Sequence, residues 1–143
     1  RHMREHRVYS EDNPQAKESG SIIIVVATDS PLLPHQLKRL ARRASLGLAR
    51  MGSIAGNGSG DIFIAFSTSA DLAGISGKVG QVSMLPNDWM TALFDATIQA
   101  TEESIVNALV AAETMTGAEN RTVIRLPHDR LRATLKKYNR LVE

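Results

Sequence analysis

Ser21 stands at the mouth of a long apolar run, preceded by Gly20 and followed by Ile22, Ile23, Ile24, Val25 and Val26. These β-branched residues are stiff at χ1 and pack well in a sheet, so the run reads as a rigid strand that could hold a reacting hydroxyl at its start. If the Gly20–Ser21 bond is cut, Ser21 gains a free α-amine with an ordinary pKa of about 8. That amine lies next to its own hydroxyl and can take the proton as the oxygen attacks a carbonyl, which is nucleophilic catalysis by a chain-terminal residue. Such a site needs a group to orient the amine and donors for the developing oxyanion. Ser59 and Asp61, in Asn57-Gly58-Ser59-Gly60-Asp61, are the candidates for orientation. They stand where a glycine-rich loop meets a second apolar run. Taken singly, the same residues also read as a strand start, a turn hydroxyl and a strand-edge cap.

Other chemistries fit the residues less well. The four histidines, at 2, 6, 35 and 128, have no partner at helical ligand spacing within the expected fold, so no metal site is expected. A triad of Ser21, His35 and Asp61 has the right residue types, but His35 follows Pro34 at a helix start and reads as a surface or capping residue. The loop Gly52–Gly60 carries four glycines, yet no Lys-Ser/Thr follows it and it leads into a strand, so it is not a P-loop. With no cysteine there is no thiol nucleophile and no disulfide framework.

The elements that must position these residues follow from periodicity. The run from Ser19 to Thr28 lacks polar alternation and predicts a strand covered on both faces. After a turn at Thr28-Asp29-Ser30-Pro31, Pro34 predicts a helix start. Leu37, Leu40, Ala41, Ala44 and Leu48 form its apolar stripe, with Lys38, Arg39, Arg42 and Arg43 on the other side. Asp61–Thr68 predicts a second buried strand. Were the two strands neighbours, their starting ends would face one cleft.

A short strand is expected near Val79–Met84. Pro86-Asn87-Asp88 is expected to cap a long helix from about Trp89 to Met115, either broken near Thr101 or buried over much of its surface, with Gly117 as its C′ residue. Val123 and Ile124 suggest a last strand, and a terminal helix is expected from about His128.

The bulk properties suit one soluble domain: 143 residues, 43% hydrophobic, 22% charged and only 4% aromatic, with a net charge of +2. That charge is too small to argue for nucleic acid. No apolar run approaches the ~20 residues that span a bilayer, and no signal peptide is apparent. Residues 1–20 read as a polar tail, with Arg1-His2-Met3 resembling an expression-vector scar.

Three stretches resemble the DmpA-type self-processing aminopeptidases, the L-aminopeptidase/D-esterases and β-peptidyl aminopeptidases. They are Gly20-Ser21 through Asp29, Pro31-Leu-Leu-Pro-His35-Gln-Leu-Lys-Arg-Leu, and Asn57-Gly-Ser59-Gly-Asp61 through Thr68. Leu126-Pro127-His128-Asp129-Arg130-Leu131 extends the likeness towards the end. The resemblance implies a precursor cut between Gly20 and Ser21, with Ser21 the nucleophile and Ser59 and Asp61 its helpers; some members have Glu in place of Asp61. It also implies an α+β fold, a four-layer αββα sandwich shared with the ornithine acetyltransferase type, of which this chain is roughly the C-terminal third. Residues 21–143 would be the small catalytic subunit, paired with a large N-terminal subunit that supplies the oxyanion Asn and an active-site Tyr. Subunit pairs would assemble into tetramers, and the substrates would be short peptides, amides and esters, with no cofactor. Ser30, where Ala is usual, and Met51-Gly52 depart from the pattern without touching these roles. The ornithine acetyltransferase type uses Thr as nucleophile, which Ser21 argues against.

The rival from another class is a non-catalytic module that binds acidic partners such as nucleic acid through Lys38–Arg43. The aminopeptidase reading carries neither nucleic acid nor membrane as a partner, and places the protein in the cytoplasm, with the periplasm as the alternative.

Overall fold

In the computed structural model, residues 20–69, 80–120 and 122–142 are described. The expected tail at 1–19 and Val79 lie outside them. β1 (Ile23–Thr28) and β2 (Ile62–Ser67) form a parallel pair with Ile23 opposite Ile62 and Thr28 opposite Ser67. Parallel strands need a long crossover, and α1 (Pro34–Arg50) supplies it. Pro34 occupies the first helical turn as expected, where its missing N–H is no loss. At the other end Gly52 has φ 100°, and its N–H reaches Ala49 O while Ser53 N–H reaches Leu48 O. This is a Schellman ending, and the left-handed residue in it favours glycine.

The apolar stripe on α1 holds at Leu40 and Ala44, both buried. Gln36 is also fully buried, which its polarity did not suggest. Its Oε1 accepts the Leu33 N–H at 3.0 Å, while its amide donates to Leu85 O at 2.8 Å and Asn87 Oδ1 at 3.2 Å. Every polar end is thereby satisfied, which is the condition for burying it. Asn87 thus ties the start of the next helix to α1 instead of capping it. Leu32, Leu40 and Met90 make the core, with Val26, Leu37, Leu85 and Phe94 around them.

α2 (Met90–Ala111) follows a single 3-10 turn at Asn87–Trp89 and packs along α1. The helices touch at Gly47, where a Cβ would lie 2.7 Å from both Ile98 O and Thr101 Cβ. α2 is unbroken at Thr101, and the buried Thr97 and Thr101 hydroxyls are satisfied within the helix, donating to Leu93 O and Thr97 O, one turn back, at 2.7 and 2.8 Å. Nor is it buried over most of its surface in this chain: Val106, Leu109 and Val110 are exposed.

The helix stops at Ala111, with Ala112 extended at ψ 143°, so Gly117 is not its C′ residue. Met115 instead begins β3 (Met115–Thr116), which pairs antiparallel with β4 (Thr122–Val123). Ile124 lies just past β4. No strand forms among residues 80–84, which are exposed coil. α3 (His128–Lys137) begins where the sequence places it.

The expectation of strands covered on both faces is corrected. β1 and β2 alternate strictly: Ile24, Val26, Phe63 and Ala65 are half-buried, whereas Ile23 is 66% and Phe66 44% exposed. Ile23, Val25, Ile62, Ile64 and Phe66 all belong to the face that no described element of this chain covers. Unbroken β-branched sequence records that both faces favour burial; it does not say which chain covers the second.

Candidate active site

The parallel pairing assembles the site. In β1 and β2 each residue stands opposite the one 39 positions on, and continuing that register towards the N-terminus sets Ser21 against Gly60 and Ile22 against Asp61. The hydrogen bonds follow it. Gly60 N–H donates to Ser21 Oγ at 2.9 Å, and Ile22 N–H donates to the Asp61 carboxylate at 3.0 Å. Ile62 N–H then reaches Ile22 O at 2.9 Å, which begins the ladder. Both strand starts therefore open at the same end of the sheet, as expected for neighbours.

Gly20, Ser21, Ser59 and Asp61 line one cleft of about 260 Å³, floored by Leu48 and Ser53 from the C-terminal end of α1 and the loop after it. The Schellman turn at Gly52 sends the chain back across the sheet at this point, so the loop 53–60 delivers Ser59 beside Ser21. Ser59 N–H is held by Gly56 O at 2.8 Å. Its hydroxyl is buried and has no hydrogen-bond partner among the described residues. An unpaired buried hydroxyl costs stability, so Ser59 Oγ stands ready for a polar partner in the cleft. Asp61 uses one carboxylate oxygen on Ile22 N–H and is half-buried. Ser21 and Gly20 are exposed.

The geometry can therefore present one exposed hydroxyl, held by a backbone donor, next to a carboxylate and a second hydroxyl. It does not build the Ser21-His35-Asp61 triad. His35 is exposed in the first turn of α1, beyond the far end of β1, and β1 alone is six residues long. No group of three His, Asp or Glu able to hold a metal occurs among the described residues. No helix among them is long and apolar enough to cross a membrane.

The basic side of α1 is not a free cationic face. Arg43 lies over the Phe94 ring at 3.9 Å and Arg39 at 5.2 Å, and Arg39 also donates to Asn87 Oδ1 at 2.9 Å. Two of the four cations thus help join α1 to α2, leaving Lys38 and Arg42 exposed.

Sequence reasoning did not single out Gly60, whose contribution is a backbone N–H. Aligning the two apolar runs by their starts, Ile22 on Ile62, would set Asp61 opposite Ser21, one residue away from the observed register of Ile23 on Ile62.

The fold is similar to that of the Ntn hydrolases. The l-aminopeptidase d-ala-esterase/amidase of Ochrobactrum anthropi, described as a prototype for the serine aminopeptidases and a new variant among the Ntn hydrolase fold, matches with a TM-score of 0.77. That match is 47% identical and covers 90% of this chain and 36% of that one. The chain belongs to peptidase family S58, which it matches over residues 2–123. It is 57% identical over 131 residues to the β-peptidyl aminopeptidase BapA of Sphingosinicella microcystinivorans, covering 91% of this chain and 33% of that protein. To the BapA of Sphingosinicella xenopeptidilytica it is 48% identical over 127 residues, covering 87% and 32%. The chain spans about a third of the length of these relatives.

Proposed function

We propose that this chain carries the small catalytic subunit, residues 21–143, of a serine aminopeptidase that matures by cutting itself between Gly20 and Ser21. The observation that carries the reading is the shared cleft: Ser21, the carboxylate of Asp61 and the unpartnered hydroxyl of Ser59 line it together with Gly20.

In maturation, Ser21 Oγ attacks the Gly20 carbonyl carbon. The new C–O bond replaces the Gly20–Ser21 C–N bond, and the hydroxyl proton ends on the Ser21 nitrogen. Water then hydrolyses the ester, leaving a Gly20 carboxylate and a free Ser21 with both amine and hydroxyl. In turnover, that amine takes the hydroxyl proton as Oγ attacks the scissile carbonyl and passes it to the leaving amine. Water releases the acyl group. Asp61 and Ser59 orient the amine, with Ser59 Oγ gaining the partner it lacks before cleavage.

The rest of the protein has two tasks in this reading. Its large subunit supplies the oxyanion donors, and its sheet covers the apolar face formed by Ile23, Val25, Ile62, Ile64 and Phe66, giving the four-layer αββα sandwich. A bare face of five large apolar side chains is what an interaction surface looks like. Subunit pairs assemble into tetramers. Substrates are short peptides, amides and esters, including those headed by β-residues as the relatives' name indicates; no cofactor takes part.

The test is incubation of the full-length protein with short peptide amides headed by α- or β-residues. Release of the first residue is the expected result. No release, together with nucleic-acid binding that weakens steeply with salt, would favour the rival reading through Lys38–Arg43.

A further inference from the structure

We infer that Gly60 is a positioning residue for the nucleophile, acting through its backbone N–H and through the absence of a side chain. The inference rests on the reading of Ser21 as the attacking group. Two observations carry it. Gly60 N–H donates to Ser21 Oγ at 2.9 Å, and a Cβ built on Gly60 would lie 3.3 Å from that oxygen and 3.9 Å from Ser21 Cβ.

The donor does two things. A serine side chain has three staggered χ1 wells open to it, and Ser21 is exposed, so packing alone does not fix its oxygen. The N–H pins Oγ at a point set by the β1–β2 register, the same register that brings Ile22 N–H to Asp61. Donation into Oγ also favours the charged form of that oxygen, while one lone pair stays free to attack and the hydroxyl proton stays free to leave for the nitrogen.

The missing side chain matters as much. At 3.3 Å a Cβ would be tighter than ordinary contact with the reacting atom, so the hydroxyl would have to give by a few tenths of an ångström from the point at which its donor holds it. Backbone conformation does not call for glycine here: among the described glycines only Gly52 has positive φ. What glycine provides at position 60 is room beside Ser21 Oγ.

The experiment compares wild-type, Gly60→Ala and Ser21→Ala full-length proteins. Self-cleavage is followed by intact mass, turnover by kcat and KM separately, folding by thermal melting, and hydroxyl reactivity by the rate at which a sulfonyl fluoride labels Ser21. A displacement of the order of 1 Å at a reacting atom can cost about a hundredfold in rate. The shift of a few tenths of an ångström that Gly60→Ala requires is therefore expected to slow self-cleavage, kcat and Ser21 labelling by roughly fivefold, with KM and the melting temperature little changed. A second protein with glycolic acid at position 60 loses the N–H and adds no atom, and is expected to show the same loss; it decides the matter if the alanine variant does not fold. Wild-type cleavage, kcat and labelling in these proteins, with Ser21→Ala inactive, would overturn the role of Gly60 and leave Ser21 in place. An active Ser21→Ala protein would instead overturn the reading beneath it.

Discussion

Ser21→Ala in the full-length precursor is expected to give a single uncut chain with no measurable aminopeptidase activity, and with folding close to wild type. Both losses have one cause. In the proposed mechanism the Ser21 hydroxyl attacks Gly20 in maturation and the substrate in turnover, and without the cut the α-amine proposed as base would never form. Removing the nucleophile of a serine hydrolase can cost on the order of 10⁶ in kcat, which places the expected rate at background. The fold has little reason to respond. Ser21 is exposed, Ala retains its Cβ, and the Gly60 N–H that loses its acceptor lies where water can replace it. Intact mass and amine release measured on the same sample check the result. A processed, active Ser21→Ala protein would remove Ser21 from the mechanism.

Asp61→Asn is expected to lower kcat by about 10², the cost of letting the catalytic amine stray by about 1 Å, with the fold intact. The substitution separates two tasks. Asn keeps an oxygen at the position that accepts Ile22 N–H at 3.0 Å, so the start of β1 stays tied to β2. It loses the negative charge that would hold the newly formed amine in place. Asp61→Ala, by contrast, also leaves Ile22 N–H without its acceptor, at a cost of about 1–3 kcal/mol if that group stays unsatisfied. Loss of rate in Asn with loss of stability only in Ala is the expected pattern. Full activity in Asp61→Asn would leave Asp61 as a structural tie alone.

The elements that could be read from the sequence are those whose signal is local. Pro34 marked the start of α1, Leu40 and Ala44 its buried side, and two equal apolar runs the paired strands. Failures came where burial or geometry depended on something distant. Gln36 is buried because Leu33, three residues before it, and the distant Leu85 and Asn87 satisfy its amide. Asn87 turned from a cap into a link for the same amide. Periodicity sets Arg39 and Arg43 opposite the apolar stripe of α1, whereas in the fold both lie over the Phe94 ring. The two-residue strands β3 and β4 are too short to leave a periodic trace, so the sequence carries the expected helix to about Met115, with Gly117 as C′, instead of ending it at Ala111.

For the site, Ser21, Ser59 and Asp61 stood out through the resemblance and through side chains that can do chemistry. Nothing in residue type marks Gly60, because a glycine acts through its backbone and only the register shows what that backbone meets. The starts of the two apolar runs, Ile22 and Ile62, do not give this register, because Asp61 takes the place opposite Ile22.

Whether Ser21 becomes a chain end is decided by mass. The purified full-length wild-type protein is predicted to contain two polypeptides, one ending at Gly20 and one whose mass and first Edman cycle begin at Ser21. A single unbroken chain that still releases amino-terminal residues from peptides, or a cut at any other bond, would contradict the account.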